Sequence, residues 1–278
     1  MIVLIFTLVL FVGAAIAGLI GSLTGLGGGV VLIPLLTLAF KVDIHYAIGT
    51  SLISVIATSS GAAAAYVKEG ITNIRLGMFL ELATTVGAIM GAVLAKHVST
   101  SGIAIVFGIM LLISAATSFI HHEGKIDSGS PSRLSNWLQL NNTYPTETGP
   151  ASYVVKNVAG GFVMMNVAGI VSGLLGIGSG ALKVIAMDRI MRIPFKVSTT
   201  TSNFMIGVTA AASAGIYLKE GYIDPGLSMP VVLGVLLGAF IGSKILFRAQ
   251  TRVLKILFAI IISVLAIEMI YNGITHKL

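Results

Sequence analysis

The architecture of this chain follows from one stretch, Gly18-Leu-Ile-Gly-Ser-Leu-Thr-Gly-Leu-Gly-Gly-Gly29. A second copy, Gly169-Ile-Val-Ser-Gly-Leu-Leu-Gly-Ile-Gly-Ser-Gly180, begins 151 residues later. In each copy an apolar run of helical length reaches a cluster of glycines, and another apolar run leaves it. Glycine clusters interrupt helices and leave backbone N–H groups without intrahelical partners. We therefore expect each copy to form the tip of a helical hairpin.

The composition places both hairpins in a membrane. Hydrophobic residues make up 56% of the 278 residues and charged residues only 10%, with a mean hydropathy of +1.01. A soluble protein of this length cannot hide so much apolar surface behind so few charges, so we expect an integral membrane protein with many spans. Apolar windows of about 20 residues recur along the chain, which indicates helices rather than the shorter, alternating strands of a barrel.

Charge and cysteine content exclude several classes of function. The net charge of +7 is typical of Lys and Arg in cytoplasmic loops, and we expect no nucleic-acid partner. The absence of cysteine excludes disulfides, thiolate chemistry and Cys-ligated metals. The adjacent pair His121-His122 has no further ligands nearby in the sequence, so it is interpreted as part of a loop. No metal and no cofactor is expected.

The hydrophobic windows predict long helices and two short ones. The short windows, 29–40 and 180–191, cannot span a bilayer at about 1.5 Å per residue, so we interpret them as half-helices returning from the glycine clusters. The polar stretch 121–153 is predicted to be a linker, with a short helix at the headgroup level around Trp137. The long windows are 2–24, 46–67, 76–96, 99–120, 154–176, 197–218, 226–247 and 251–272.

The two halves of the chain are repeats. One constant shift of 151 residues, without a gap, aligns both glycine clusters and the polar pairs that follow them. We therefore divide the chain into a first transmembrane repeat (1–120), a polar cytoplasmic linker (121–153) and a second transmembrane repeat (154–278). Internal duplication is common in secondary transporters, which bind substrate at the interface between repeats. The shift lays Thr50-Ser51 on Thr201-Ser202, Tyr66 on Tyr217, Lys68-Glu69-Gly70 on Lys219-Glu220-Gly221, and Gly87 and Gly91 on Gly238 and Gly242.

The distribution of Lys and Arg predicts the topology. If both ends of each glycine hairpin lie on one face of the membrane, most of the positive residues share one side, as the positive-inside rule requires. A single pass at each glycine segment would instead divide them almost evenly. We therefore expect inverted halves, both termini outside and the linker in the cytoplasm. The positive residues expected on the opposite side are Lys41, Lys96, Lys219 and Lys277.

The hairpin tips are the first candidate for a binding site. The second arm of each hairpin begins near Gly28 or Ser179. A helix N-terminus presents free N–H groups and the positive end of a dipole equivalent to about half a charge, which suits an anion. Two tips from inverted halves would meet near the bilayer midplane. The alternative is close helix packing through small residues, which we prefer for the isolated glycines Gly87, Gly91, Gly238 and Gly242.

Polar side chains near the tips extend the candidate site. The pairs Thr50-Ser51 and Thr201-Ser202, the latter followed by Asn203, recur at matched positions and could bond an oxyanion, or could bond their own backbone one turn back. Lys183, three residues past the second cluster, could supply a counter-charge, snorkel to an interface or pair with Asp188. Glu81 could serve as a proton relay, but it lies only about a turn and a half from Arg75, so an interfacial ion pair with Arg75 is the preferred interpretation. Weaker candidates are Ser22, Thr24 and Ser172.

An enzymatic alternative depends on Ser179, which lies between glycines as an intramembrane serine nucleophile would. Its repeat partner is Gly28, however, and the histidines all lie in predicted loops or at ends, so a Ser–His pair is poorly supported. We do not expect an enzyme.

The doubled motif, Gly25-Leu-Gly-Gly-Gly29 and Gly176-Ile-Gly-Ser-Gly180, is followed each time by a short apolar arm and a downstream Thr-Ser pair. This arrangement resembles the sulfite exporter TauE/SafE family of membrane permeases over nearly the whole chain. The resemblance implies a multi-pass transporter of small sulfur-containing anions in the plasma (inner) membrane of a prokaryote.

Together these observations predict an all-α polytopic membrane protein with two inverted repeats, each a glycine-tipped helical hairpin followed by three transmembrane helices. Its expected function is secondary transport of sulfite or an organosulfonate, outward; an anion channel with the tips as its filter is the alternative. The expected partners are the anion and the lipid bilayer, and a homodimer stays open. The predicted substrate-binding residues are Gly27, Gly28, Gly29, Thr50, Ser51, Gly178, Ser179, Gly180, Lys183, Thr201, Ser202 and Asn203.

Overall fold

The computed structural model describes residues 2–24, 28–68, 70–119, 133–146, 149–246 and 251–276. Gly27 of the predicted site and the pair His121-His122 lie outside these ranges. The first half contains α1 (Ile2–Thr24), α2 (Gly29–Pro34) with a π-helical turn (Leu35–Ala39), α3 (Ile44–Lys68), α4 (Ile74–Ala95) and α5 (Thr100–Phe119). The linker contains α6 (Arg133–Trp137) and strands β1 (Asn142–Thr146) and β2 (Gly149–Tyr153). The second half contains α7 (Val158–Leu175), α8 (Gly180–Ile185) with a π-helical turn (Ala186–Ile190), α9 (Phe195–Lys219), α10 (Pro225–Leu246) and α11 (Thr251–Ile274).

The 151-residue shift holds for the local structure as well as for the sequence. It carries α2, its π-helical turn, α3 and α4 onto α8, its π-helical turn, α9 and α10 with the same bounds. Lys41 and Arg192, which follow the two π-helical turns, both have a φ of 56°. Pro34 precedes the first turn, but Ile185 occupies the equivalent place before the second, so proline does not account for these turns. The helical prediction, including both half-helices, is confirmed, whereas the inverted layout and the domain bounds stay predictions.

Long helices in the described part of the chain expose large apolar side chains. Examples are Leu4 on α1, Leu82 on α4, Val163 on α7 and Phe240 on α10, all more than half exposed. Two helices of the described part of the chain, α4 and α7, are long and apolar enough to cross a membrane. Exposed apolar side chains on α1, α4, α5, α7, α10 and α11 form a surface that only lipid solvates favourably.

The isolated glycines allow helices from opposite halves to pack closely. α1 packs against α10, and α4 packs against α7. A Cβ atom added at Gly87 or Gly91 would overlap the carbonyl oxygen of Asn166 or Ile170, and one at Gly238 would overlap that of Ala15. These contacts confirm the packing interpretation of the three glycines; the surroundings of Gly242 lie outside the described residues. In each of these two helix pairs, one helix therefore comes from the first half of the chain and the other from the second half.

The centre of the molecule is built from the two half-helices and the helices that follow them. Every residue of α2 is buried, as are Leu182 and Lys183 of α8. α2 packs against α3, α8 packs against α9, and α3 and α9 pack against each other. The glycine tips thus begin helices that lie inside the protein.

The linker is more ordered than a polar stretch predicts. The short helix α6 is confirmed, and Trp137 on it is 79% exposed. The antiparallel hairpin β1–β2 was not predicted, because Pro145 and Pro150 lie within strands too short to show alternation. Asn73, the N-cap of α4, donates from Nδ2 to the Tyr153 hydroxyl at 2.8 Å and to the Leu140 carbonyl at 2.9 Å. Burial raises the pKa of Tyr153 to about 12, against the lowering effect of this hydrogen bond.

Candidate functional site

The two glycine tips lie against each other. The Ser51 hydroxyl of α3 donates a hydrogen bond to the carbonyl oxygen of Gly176, at the end of α7, across 2.9 Å. A Cβ atom added at Gly29 would lie 2.5 Å from the Ser51 Oγ and 3.3 Å from the same carbonyl oxygen. Ser51 and Gly29 belong to the first repeat and Gly176 to the second, so the tips meet across the boundary between repeats.

The backbones of the two tips differ. Gly176 and Gly178 have φ values of 67° and 71°, the left-handed region that glycine adopts without strain. Ser179, the N-cap of α8, also has a left-handed backbone with a φ of 44°, which is uncommon for a residue with a Cβ. Its repeat partner Gly28 has a right-handed backbone with a φ of −63°. Of these two equivalent residues, the serine is therefore the one with the strained backbone.

Two hydroxyls beside the second tip have no hydrogen-bond partner among the described residues. Ser172 Oγ and Ser179 Oγ are buried, and neither has a partner in the part of the chain that the structure describes. Ser172 lies one turn before Gly176, whose N–H donates to the Ser172 carbonyl at 2.8 Å. Buried polar groups in native proteins are nearly always paired, and an exception indicates a missing ligand, ion or water. Ser172, a weaker candidate from the sequence, thus joins the site.

The structure divides the polar pairs of the long helices into two groups. The serines contact tip backbone: Ser51 contacts Gly176, and the Ser202 hydroxyl donates to the Gly180 carbonyl at 3.2 Å. The threonines contact more distant residues. Thr50 Oγ1 lies 3.3 Å from Ser228 Oγ, and Thr201 Oγ1 accepts a hydrogen bond from the Asn73 backbone N–H at 3.1 Å. Asn203 is half-buried on α9. The side chains of Ser22 and Thr24 lie outside the described residues.

Lys183 is fully buried, so the snorkelling interpretation is wrong. Its ammonium group donates to Thr209 Oγ1 on α9 across 2.5 Å. The Thr209 hydroxyl in turn donates to Glu81 Oε1 on α4 across 2.7 Å. One hydroxyl therefore joins a buried ammonium to a buried carboxylate.

The interfacial interpretation of Glu81 is also wrong. Glu81 is only 7% exposed, whereas Arg75 is exposed and donates from Nη1 to Gln139 Oε1 at 2.7 Å. Six residues of α-helix turn by about 240°, so the two side chains leave α4 about 120° apart. Glu81 Oε1 also accepts from the Thr85 hydroxyl at 3.2 Å, while Glu81 Oε2 has no partner among the described residues. The sequence signal for a buried role of Glu81 is that an acidic residue lies inside a predicted span.

One face of α9 connects the tip to the buried charges. Ser202, Ile206 and Thr209 have helical spacing on this face. Ser202 contacts Gly180, the Ile206 side chain lies where a Cβ at Gly178 or Gly180 would be, and Thr209 contacts Lys183. Ser202 and Thr209 are separated by about 10 Å along the helix axis at about 1.5 Å per residue. The second tip and the Glu81–Thr209–Lys183 chain therefore lie along the same face of α9.

Comparison with known proteins identifies the class of protein that carries this site. Residues 10–269 match the family described as Sulfite exporter TauE/SafE. The chain belongs to the TauE/SafE family. A relative in Bacillus subtilis, the probable membrane transporter protein YunE, is 28% identical over 274 residues, 96% of this chain and 98% of its own length. Another in the same organism, the probable membrane transporter protein YdhB, is 30% identical, covering 89% of this chain and 92% of its own length.

The TauE/SafE relatives extend beyond bacteria. The probable membrane transporter protein MJ0441 of Methanocaldococcus jannaschii is 23% identical, with 96% of each chain covered. No solved structure matches this chain. This TauE/SafE protein is a multi-pass membrane transporter and not an enzyme. The unpartnered Ser179 hydroxyl is accordingly interpreted as part of a binding site and not as a nucleophile.

Proposed function

We propose that this transporter moves a small sulfur-containing anion, sulfite or an organosulfonate, outward across the plasma membrane of a prokaryote, and that the anion binds between the two glycine tips. The observation that carries the proposal is the pair of buried, unpartnered hydroxyls of Ser172 and Ser179 beside the contact of Ser51 with Gly176. An oxyanion has several acceptor oxygens, and these hydroxyls are donors that lack an acceptor.

The backbone of the second tip adds donors to this site. The half-helix continues from Gly180 through its π-helical turn to Ile190, and the N–H groups of its first turn have no intrahelical partner. The glycines of both tips leave the backbone open to close approach of a ligand. Lys183 supplies a full positive charge one turn further on. In this arrangement Ser51 and Ser202 hold the tips, while Thr50, Thr201 and Asn203 lie at the edge of the site.

Contacts at the two ends of the molecule support the inverted topology. At one end Lys96 forms an ion pair with Glu220 at 2.5 Å. At the other, Arg75 contacts Gln139 of the linker, and the Lys156 backbone N–H donates to the Met191 carbonyl at 3.0 Å. This grouping agrees with the charge distribution and supports the proposal that the linker lies in the cytoplasm and both termini lie outside. A reporter fusion that shows a cytoplasmic C-terminus would overturn this topology.

Alternating access in this fold involves bodies that differ from the two repeats. α10 packs on α1 and α3 of the first repeat, while α4 packs on α7 and α9 of the second. Glycines bring the backbones of α1 and α10, and those of α4 and α7, into close contact within these groups. The interface between α3 and α9, where the tips meet, is the surface at which the two bodies would move. Export of an anion from a negative cytoplasm is favoured by about 2.3 kcal/mol per charge at 100 mV.

Calorimetric titration of the purified protein with sulfite, sulfate, thiosulfate and methanesulfonate tests the proposal. We expect saturable binding of sulfite or the sulfonate, weakened in Ser179→Gly. Absence of binding together with absence of flux would remove the anion assignment. Flux in vesicles that saturates and is stimulated by anion on the opposite side would argue for a transporter over a channel with the tips as its filter.

A further inference from the structure

Three buried groups from three helices form a chain beside the proposed anion site: Glu81 on α4, Thr209 on α9 and Lys183 on α8. Thr209 Oγ1 accepts from the ammonium, and its single proton has two acceptors within reach, Glu81 Oε1 at 2.7 Å and the Met205 carbonyl at 3.0 Å. The bond to the carboxylate is the shorter of the two. Lys183 and Glu81 are thus coupled through a bridge and make no direct contact that would fix both charges. The contact between the tips is made by Ser51, and neither Lys183 nor Glu81 takes part in it.

The carboxylate is incompletely stabilised. Glu81 Oε1 accepts from Thr209 and Thr85, but Glu81 Oε2 is buried without a partner in the described part of the chain. A buried ionised carboxylate is costly unless an opposite charge and hydrogen bonds compensate for it. The compensation for Glu81 is therefore chiefly the charge of Lys183.

We propose that Glu81 is the proton-binding site of this transporter, and that the transported anion and a proton bind together because both depend on Lys183. This inference rests on the proposed function. Lys183 and Glu81 alone form a neutral pair in a low-dielectric site. An anion that binds close to Lys183 adds one negative charge that the lysine no longer compensates. A proton from bulk water that binds to Glu81 Oε2 restores neutrality. The proton thus travels in the same direction as the anion, so a monovalent anion crosses without net charge, and the membrane potential acts only on the second charge of a divalent one.

No other charged group among the described residues takes the role of Glu81 or Lys183 in the Glu81–Thr209–Lys183 chain. The described residues of α7, which packs on α4, include no acidic, basic, His or Tyr side chain. On α9, Lys196 and Lys219 are exposed at the two ends, and the Tyr217 hydroxyl donates to backbone carbonyls of α7. The turn after α8 carries the half-buried Asp188 and the exposed Arg189, at the end of the half-helix remote from the tip. On α4 itself Arg75 contacts Gln139.

The test measures proton uptake when an anion binds. Methanesulfonate is the probe because it does not titrate near neutral pH. Purified protein in weak buffer with a pH-sensitive dye is titrated between pH 5 and pH 7, and affinity is measured by calorimetry at each pH. We expect uptake with a maximum approaching about one proton per anion, and an affinity that falls up to about tenfold per pH unit across that range.

Two variants assign the proton. Glu81→Gln mimics the protonated side chain, so we expect it to bind methanesulfonate with a pH-independent affinity and without proton uptake. Glu268→Gln, at an exposed position on α11, is the matched control and is expected to keep the uptake. If Glu81→Gln fails to fold, infrared difference spectra of the unaltered protein report a protonated-carboxyl band on anion binding, which Thr209→Val is expected to shift.

Two results would contradict the inference, and they distinguish failure of the proton site from failure of the proposed function. Binding of methanesulfonate without proton uptake, at an affinity independent of pH, would overturn the proton site and leave the anion site standing. Binding of neither methanesulfonate nor sulfite at any pH would overturn the proposed function, and the proton site with it.

Discussion

The hydroxyl of Ser51 is hydrogen-bonded to the carbonyl oxygen of Gly176 at 2.9 Å, and this bond joins the two repeats at their glycine tips. Its repeat partner Ser202 instead bonds Gly180 of its own repeat. The sequences of the two pairs are the same, Thr-Ser, so the difference arises from how the tips pack. The first repeat therefore holds the second tip, and the site is asymmetric although its parts are duplicated.

Replacing Ser51 by Ala is expected to loosen the contact between the tips. The loss of a buried hydrogen bond costs about 0.5–1.5 kcal/mol, so we expect weaker anion binding and a lower thermal midpoint of unfolding. Ser54→Ala is the matched control, because the Ser54 hydroxyl bonds the Thr50 carbonyl within the same helix. Equal effects of the two substitutions on anion affinity would argue against a special role for Ser51.

A side chain at Gly29 is expected to separate the tips. The added Cβ of Gly29→Ala would lie 2.5 Å from the Ser51 hydroxyl oxygen, so Ser51 must leave the Gly176 carbonyl. Transport into vesicles should fall at least as far as in Ser51→Ala. The control is Gly215→Ala on α9, where an added Cβ meets nothing within 4 Å. That substitution should leave transport unchanged, and it should stabilise the helix by up to about 1 kcal/mol.

Ser179→Gly separates the conformational role of Ser179 from its role as a donor. Glycine adopts the left-handed φ of 44° without a Cβ penalty, so we expect the folded protein to be as stable as the unaltered one. Loss of the hydroxyl is expected to weaken anion binding about three- to tenfold, the equivalent of one hydrogen bond. Calorimetry and a thermal melt measure the two effects, and an unchanged affinity would exclude Ser179 from the site.

Asn73→Ala is expected to release the linker from α4. It removes the N-cap bond to the Leu76 N–H and the two bonds to Leu140 and Tyr153, and loss of an N-cap alone costs about 1 kcal/mol. Limited proteolysis of the linker at Arg133 should become faster. Asn272→Ala is the control, since the half-buried side chain of Asn272 bonds only the Glu268 carbonyl of its own helix among the contacts seen. Unchanged cleavage in Asn73→Ala would contradict the anchoring role.

The repeated helices could be predicted because their pattern lies along the chain. A gapless shift of 151 residues and the short windows after each glycine cluster are local features, and α2, α3 and α4 recur as α8, α9 and α10 with the same bounds. The family resemblance is carried by the same local motif. These features establish a membrane transporter with two half-helices before any packing is known.

The remaining features depend on contacts between distant residues. Glu81 and Thr209 are 128 residues apart, and no spacing rule places one against the other. α10 packs on the first repeat and α4 packs on the second, and this arrangement depends on which glycine faces which backbone carbonyl. The left-handed backbone of Ser179 could not be predicted either. A positive φ is expected at glycine, yet the glycine at the equivalent position, Gly28, has a right-handed backbone. Periodicity predicts helices, but it does not predict which buried charges meet.

The most direct test of an anion site between the tips uses the absence of native cysteine. In Ser179→Cys the introduced thiol is the sole target of a maleimide, and Ser60→Cys provides an exposed control on α3. If the site lies between the tips, methanesulfonate or sulfoacetate will slow labelling of the former and not of the latter, at concentrations that match its calorimetric affinity. Calorimetric binding without any protection at position 179 would contradict the account, because the anion would then bind elsewhere.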